Sequence, residues 1–349
     1  MNKINIKQLK ARKILNSNGN WTIECQLITD QGEAIAGVPT GISQGREEKE
    51  ASPIEKAIQE INESILDEVI AKGFNQESLD SLLENGGWGS NATLAVSAAF
   101  FNLTKQIDNP KLPKLMMLMF EGEEHGNPNF TIQEFMIVVD QIETGVEYYR
   151  LLEKKLKENS LLDTVGKEGG FSPAGLKSDE EVLDLLANSG VRNIALDVAG
   201  NVNPPTVNQL VDLVKSYPII SIEDPFPEDD IDSWISFYQS AKEIQPEILI
   251  VGDDLTVTNK EKIKEAKKKE LINAVIIKPN QQGTITAAVE AVETAKKLGM
   301  KTIASHRGES TNDTWIVDFA LVNRVDYVKF GAPARGERIA KYNRLLEFN

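Results

Sequence analysis

Apolar positions along the chain follow two different rhythms. In the first hundred or so residues they are mixed. "WTIECQLITDQGEAIAGVP" alternates apolar and polar positions on both sides of Asp30-Gln31-Gly32, which predicts a β-hairpin turning there. "SPIEKAIQEINESILDEVIAKG" spaces its apolar residues as a helix does, with Ser52-Pro53 as a start signal and Gly73 as a stop. "SNATLAVSAAFFNLTKQI" predicts a second, more apolar helix. The glycines of "NGGWGSN" fit neither the Walker nor the dinucleotide pattern and read as a plain loop. Two prolines in "DNPKLPK" (108–114) then mark a boundary between an α+β unit, 1–109, and a second unit, 110–349.

Beyond that boundary strands and helices alternate. "KLMMLMF" and "IQEFMIVV" are short apolar runs that predict strands, the methionines of the first being core. Two helical stretches follow, around 142–159 and 178–189. The next strands, "IALDV", "IISIED", "ILIVGDD", "AVIIKP", "KTIASH" and "DYVKFG", each carry an ionisable residue at the end: Asp197, Glu223, Asp253, Lys278, His306 and Lys329. Their separations of 26, 30, 25, 28 and 23 residues suit one strand plus its return helix. With the two earlier strands the total is eight, which predicts an α/β fold of the (β/α)8 barrel type with its chemistry at the C-terminal strand ends. An open doubly wound sheet is the structural alternative, but it would less naturally bring six successive strand ends around one mouth.

Composition narrows the function. Hydrophobic residues make up 41% and charged residues 26% of the 349, which is ordinary for a soluble globular chain. With 38 basic against 53 acidic residues, the net charge of −15 argues against nucleic-acid or anionic-membrane partners. An anionic substrate remains compatible if its site carries local positive charge. Cys25 is the only cysteine, so no intrachain disulfide forms and a reducing compartment is expected. "MNKINIKQLKARK" lacks the apolar stretch of a signal peptide, and no run approaches the roughly 20 apolar residues of a membrane span. The expectation is a cytoplasmic protein.

Lys278 ends the apolar run "AVII" and, taken alone, is explained by a side chain that snorkels to the surface. Six successive strand ends with ionisable residues are hard to explain as packing. Asp197, Glu223 and Asp253, from three consecutive strands, would repel one another unless a divalent cation neutralised them, and oxygen-only ligation suits Mg2+. Asp224 and Asp254 adjoin two of these. Strand alternation would turn only one residue of each pair inward, and the sequence leaves open which. On the other side come Lys278, His306-Arg307 and Lys329. Carboxylates facing cations across a barrel mouth suit removal of a proton next to a carboxylate, the metal neutralising charge that develops on the substrate. Neighbouring cations are expected to depress the lysine's pKa so that it serves as a base near neutral pH.

The motifs "SIEDPFPEDD", "VGDDLTVTN", "IIKPNQQG", "SHRGESTNDT" and "KFGAPARGERIAKYNRLL" closely resemble the enolase family, and "ARKILNSNGNWTIE", "VPTGISQG", "HGNPNFTIQEFM" and "VGKEGGFSP" match upstream in the same order. The resemblance covers essentially the whole chain. It implies an N-terminal α+β domain capping an enolase-type (β/α)8 barrel whose second strand runs antiparallel to the rest. It implies reversible dehydration of 2-phosphoglycerate to phosphoenolpyruvate, the phosphopyruvate hydratase step of glycolysis, with two Mg2+. Lys278 would take the C2 proton. Asp197, Glu223 and Asp253 would hold the first Mg2+, and Ser43 would ligate the second as its loop closes. Glu168 would protonate the departing hydroxyl with Glu134 as its partner, and Lys329 would stabilise the enolate. His125, Gln133, His306, Arg307 and Gly308 would bind substrate, Arg307 at the phosphate. The resemblance also implies a homodimer or larger homo-oligomer.

The chain departs from that family in places. "EGEEH" stands where Asn-Gly-Gly-Ser usually precedes the histidine, and three acids on a loop approaching a phosphorylated substrate are expected to weaken binding or slow closure. Lys167 replaces the usual aspartate and is expected to favour the charged form of Glu168. Gly308 replaces a serine and loses one hydroxyl donor to phosphate. The chain is also shorter than most of the family. These departures motivate two other readings: a lyase acting on another (phospho)hydroxy acid, and a catalytically silent binding protein.

Overall fold

The computed structural model describes residues 3–41 and 46–349, so Ser43 lies outside the described residues. Strands β1 (Ile4–Leu15), β2 (Trp21–Thr29) and β3 (Glu33–Gly37) form an antiparallel meander, and the short β4 (Gly73–Phe74) pairs with the other edge of β1. The β2–β3 turn falls at residues 30–32 as the alternation predicted, closed by Thr29 N–H on Gly32 O at 2.9 Å. The predicted helix over 52–73 is α1 (Ile54–Gln59), a π-helical segment (Glu60–Ile65) and α2 (Leu66–Val69). It stops short of Gly73 because Ala71 takes φ 58° and turns the chain into β4. Next come α3 (Gln76–Asn85) and α4 (Ser90–Thr104). Ile23, Cys25 and Leu27 of β2 are fully buried, as are most side chains of α4, which packs against β2 and β3.

The second unit is a closed barrel of β5 (Lys114–Glu121), β6 (Glu134–Val139), β7 (Ile194–Asp197), β8 (Ile219–Glu223), β9 (Leu249–Gly252), β10 (Ala274–Ile277), β11 (Lys301–Ser305) and β12 (Tyr327–Lys329). Helices α5 (Ile142–Glu158) and α6 (Asp179–Asn188) both lie between β6 and β7. Later strands alternate with α7 (Val207–Ser216), α8 (Ile231–Ile244), α9 (Lys260–Lys268), α10 (Ile285–Lys297), α11 (Trp315–Val322) and α12 (Gly336–Leu346). β6 runs antiparallel to both neighbours, and the remaining pairs are parallel. Its reversal has a local cause. Residues 122–133 contain only a single 3-10 turn, Glu123–His125, and no return helix to carry the chain back for a parallel pairing.

The N-terminal unit caps the barrel at the ends of β10 and β11. Lys49 N–H bonds Gln281 O at 3.0 Å, Thr93 Oγ1 donates to Gly283 O at 2.8 Å, and Thr40 and Glu309 exchange two backbone bonds of 2.9 and 3.1 Å. Among the described residues no helix is long and apolar enough to cross a membrane.

Candidate active site

Strand register, antiparallel at β6 and parallel beyond it, sets the first residue of β6 beside the last residues of β7 and β8. Glu134, Asp197 and Glu223 are direct partners across β6, β7 and β8, and Lys329 closes β12. Asp253, Lys278 and His306 each follow the last residue of β9, β10 and β11. A cleft of about 560 Å³ opens between these ends and the cap. Its walls include His125, Gln133, Glu134, Glu168, Asp197, Asp253, Lys278, His306, Arg307, Gly308 and Lys329. Of the described residues given a site role from sequence, Glu223 alone is not on that wall. Glu223 is reached through Lys329, and Ser43 is not described.

Lys329 is buried and its Nζ donates to Asp197 Oδ2 at 2.7 Å and to Glu223 at 2.9 and 3.0 Å, with Glu134 Oε2 3.2 Å away. Burial works against its charge, but Asp197, Glu134 and Glu223 hold its pKa well above the ordinary value. The Glu223 carboxyl is pushed well up by burial and by Asp197 beside it. Positive charge is thus what these acids need, and a donor set of carboxylate oxygens suits a hard divalent cation. The donor chemistry suits such an ion, while in this structure Lys329 engages Asp197 and Glu223 and Lys278 engages Asp253.

Lys278 donates from Nζ to Asp253 Oδ2, and Gln281 Nε2 donates to Asp253 Oδ1 at 3.2 Å. This corrects the expectation of a depressed lysine. Burial, the largest single influence, lowers the Lys278 pKa, but the nearby carboxylates, Asp253 foremost and Glu223 with it, together outweigh it, and the net direction is upward. Asp253 moves down for the reciprocal reason, since Lys278 overcomes the cost of its burial.

The question left open by strand alternation resolves differently in the two pairs: Asp253 and Asp254 both line the cleft, whereas of Glu223 and Asp224 only Asp224 does, Glu223 meeting Lys329 instead. Asp224 has φ 40°, so the chain leaves the extended conformation at once after Glu223 and alternation ceases to apply. Asp224, Asp253 and Asp254 all line the cleft, and one carboxylate oxygen from each lies within 4.8 Å of the others. Asp224 is already engaged, accepting the N–H of Asp253 at 2.9 Å and of Asp254 at 2.8 Å.

On the opposite wall one ligand atom each from His125, Glu134 and Glu168 lies within 4.8 Å of the others. The two acids are driven apart. Burial pushes the Glu134 carboxyl up to about 8, despite Lys329. Burial opposes ionisation of Glu168 too, but contact with His306 and the charge of Arg338 hold it well below the usual carboxylate range. The controlling neighbours of Glu168 are therefore His306 and Arg338 rather than the expected Lys167, whose backbone N–H bonds His125 O at 3.0 Å. Arginine has no acceptor, so Arg338 Nη1 donates to His306 Nδ1 at 2.7 Å. This leaves the proton of the neutral ring on Nε2, 2.8 Å from Glu168 Oε2. Burial and Arg338 together bring the His306 pKa down to about 3. Arg338 also donates to Arg307 O at 2.9 Å and Gly308 O at 2.7 Å, fixing the backbone of those two residues.

The guanidinium of Arg307 meets Glu48 of the cap, Nη1 and Nη2 each at 3.1 Å from one carboxylate oxygen. Sequence reasoning missed Glu48, which lies in the charged run "REEKE", and Arg338, which stood unremarked in a matching motif. It also placed the acids of "EGEEH" on a loop facing substrate. Glu121 instead ends β5 with no solvent exposure, because the strand continues one residue beyond its apolar run.

Comparison with known proteins agrees with this layout. The family description "Enolase, N-terminal domain" matches residues 6–114, and "Enolase, C-terminal TIM barrel domain" matches 109–202 and 199–349. Curated relatives named enolase include one from Natranaerobius thermophilus, 33% identical over 99% of this chain and 95% of the relative. One from Acidothermus cellulolyticus is 35% identical over 98% and 93%. Another, from Campylobacter jejuni, is 34% identical over 98% and 96%.

Proposed function

We infer the function from a premise those matches establish: this chain belongs to the enolase family. Its activity is that of a phosphopyruvate hydratase, a carbon–oxygen lyase that interconverts 2-phosphoglycerate and phosphoenolpyruvate. The structural observation in support is the opposition of Lys278 and Lys329 to buried carboxylates from β6 to β9 around one cleft. A lyase for a different acid and a silent binding protein are not favoured.

The roles within the cleft are our reading. The family works with a divalent metal, which we take to be Mg2+, two per site. When bound it supplies positive charge to the substrate carboxylate. Asp197, Glu223 and Asp253 would hold the first ion and Ser43 the second. Lys278 would take the proton at C2, which requires that it first give up its proton and its pairing with Asp253. Lys329, among three acids, would lend charge to the substrate carboxylate as the enolate forms. Glu134 and Glu168 would serve the leaving hydroxyl as a pair. In the ligand-free site the proton of that pair resides on Glu134, so Glu168 would receive it before donating. Arg307 would bind the phosphate through the fork it now offers to Glu48, with Gly308, His306, His125 and Gln133 completing the pocket.

We place the boundary between cap and barrel at residues 109 and 110, and we expect a cytoplasmic homo-oligomer, tested by light scattering on the full chain. For the activity, 2-phosphoglycerate and Mg2+ should give phosphoenolpyruvate absorbance with the native chain and none above background with Lys278→Ala. Equal turnover by both proteins would remove Lys278 as the base. No turnover by the native chain would remove the reading.

A further inference from the structure

We propose that Glu121 is a positioning residue that sets where Glu168 stands, a role resting on the reading that Glu168 serves the hydroxyl side of the reaction. The Glu121 carboxyl, whose ionisation burial and the nearby Glu168 oppose, sits beneath the turn of residues 166–170. The N–H of Glu168 itself is shared between its two oxygens, 3.0 Å from each, and the N–H of Gly170 donates to Oε1 at 2.5 Å. Its backbone holds the second loop of the same wall, since Asn127 N–H donates to Glu121 O at 3.1 Å and Glu121 N–H to Phe171 O at 3.0 Å. Lys167 N–H to His125 O then ties the two loops together, so the positions of His125 and Glu168 share one anchor.

The glycines of "VGKEGG" are shaped to this carboxyl. A Cβ on Gly166 would lie 2.3 Å from Glu121 Oε2, and one on Gly170 would lie 2.9 Å from Glu121 Cγ. The turn can close on the side chain only because both positions lack a Cβ. Removing the acceptor strands two buried N–H groups, one of them on the residue whose carboxyl does the chemistry. Displacement of a reacting group by a fraction of an ångström costs rate while leaving substrate binding largely intact. An acid one strand away from Glu168 thus acts through the backbone and touches no substrate.

The test compares the full native chain with Glu121→Met, which fills similar space but offers no oxygen acceptor, in Mg2+, by two readouts on 2-phosphoglycerate. One is phosphoenolpyruvate formation. The other is exchange of the C2 proton with deuterated water followed by NMR, which reports the lysine side of the cleft. Phosphoenolpyruvate kcat is expected to fall about 10- to 100-fold with KM within about threefold and C2 exchange within about threefold. Parallel loss of both rates would show a merely structural role and overturn the proposal, as would an unchanged kcat or an effect on KM alone. Should Glu121→Met fail to fold by circular dichroism, Glu121→Asn, which keeps one acceptor oxygen on an arm too short to hold both N–H groups in place, is held to the same outcomes. Native chain that neither dehydrates nor exchanges overturns the functional reading instead.

Discussion

Arg307 of the barrel and Glu48 of the cap form a two-pronged ion pair, 3.1 Å at each prong, with both side chains buried. The fork that suits a phosphate is held by a carboxylate of the protein's own chain. On the proposed role of Arg307, a phosphorylated substrate would compete with Glu48 for that fork. Glu48→Gln keeps the shape and one acceptor but removes the competing charge. Its KM for 2-phosphoglycerate should fall about 3- to 10-fold, accompanied by a lower melting temperature as Arg307 loses a buried counter-charge. Steady-state kinetics and a thermal melt check both, and an unchanged or higher KM would show that Glu48 does not compete.

Acid stability should carry a signature of His306. Its folded pKa of about 3 lies below the ordinary 6.5, so below that value the unfolded chain binds a proton the folded chain refuses. Stability from this group is complete above pH 6.5 and is lost as pH falls from there toward 3, by about 2 kcal/mol at pH 5. Glu134 and Asp254, raised to about 8 and about 6 chiefly by burial, act in the opposite sense, so the total cannot be read alone. Denaturant unfolding of native chain and His306→Gln at pH 7 and 5 isolates the term. The stability difference should shift toward the variant on acidification, and a pH-independent difference would argue that His306 is not held neutral.

Gly308→Ser adds a hydroxyl beside Arg307, where the resemblance places a phosphate donor. The expected result is a KM lowered by about threefold, the scale of one hydrogen bond of about 1 kcal/mol, with kcat little altered. Kinetics with 2-phosphoglycerate decide it. A raised KM would mean that the segment held by Arg338 has no room for the side chain.

Divalent metal should stabilise the folded chain, because the carboxylates that would hold it are buried and two of them, Asp197 and Glu223, share a single lysine, Lys329, as hydrogen-bond donor. Mg2+ at about 100 times its dissociation constant should add about 2.7 kcal/mol by mass action. A melt with Mg2+ against one with chelator measures this, and Asp197→Asn should abolish the difference. Equal melting temperatures would count against the assigned ligands.

Much of this site was legible along the chain. Lys278, His306 and Lys329 stand at strand ends because a βα repeat brings an ionisable residue to the same edge every 23 to 30 residues. β1 and α3 were harder to see. β1 is strongly polar, with only Ile4, Ile6 and Leu9 buried along its 12 residues. α3 is announced chiefly by a capping box of Asn75 and Ser78.

By itself the sequence determined the order and kind of the elements and which residues end the barrel strands, since apolar period, caps and turns act over a few neighbours. Tertiary structure alone decided how those ends are charged and paired. Lys278 rises instead of falling, Glu134 and Glu168 separate, and Glu48, Glu121 and Arg338 enter the site from distant positions in the chain. Burial and charge act through space, and no spacing along a chain reports which buried group will face which.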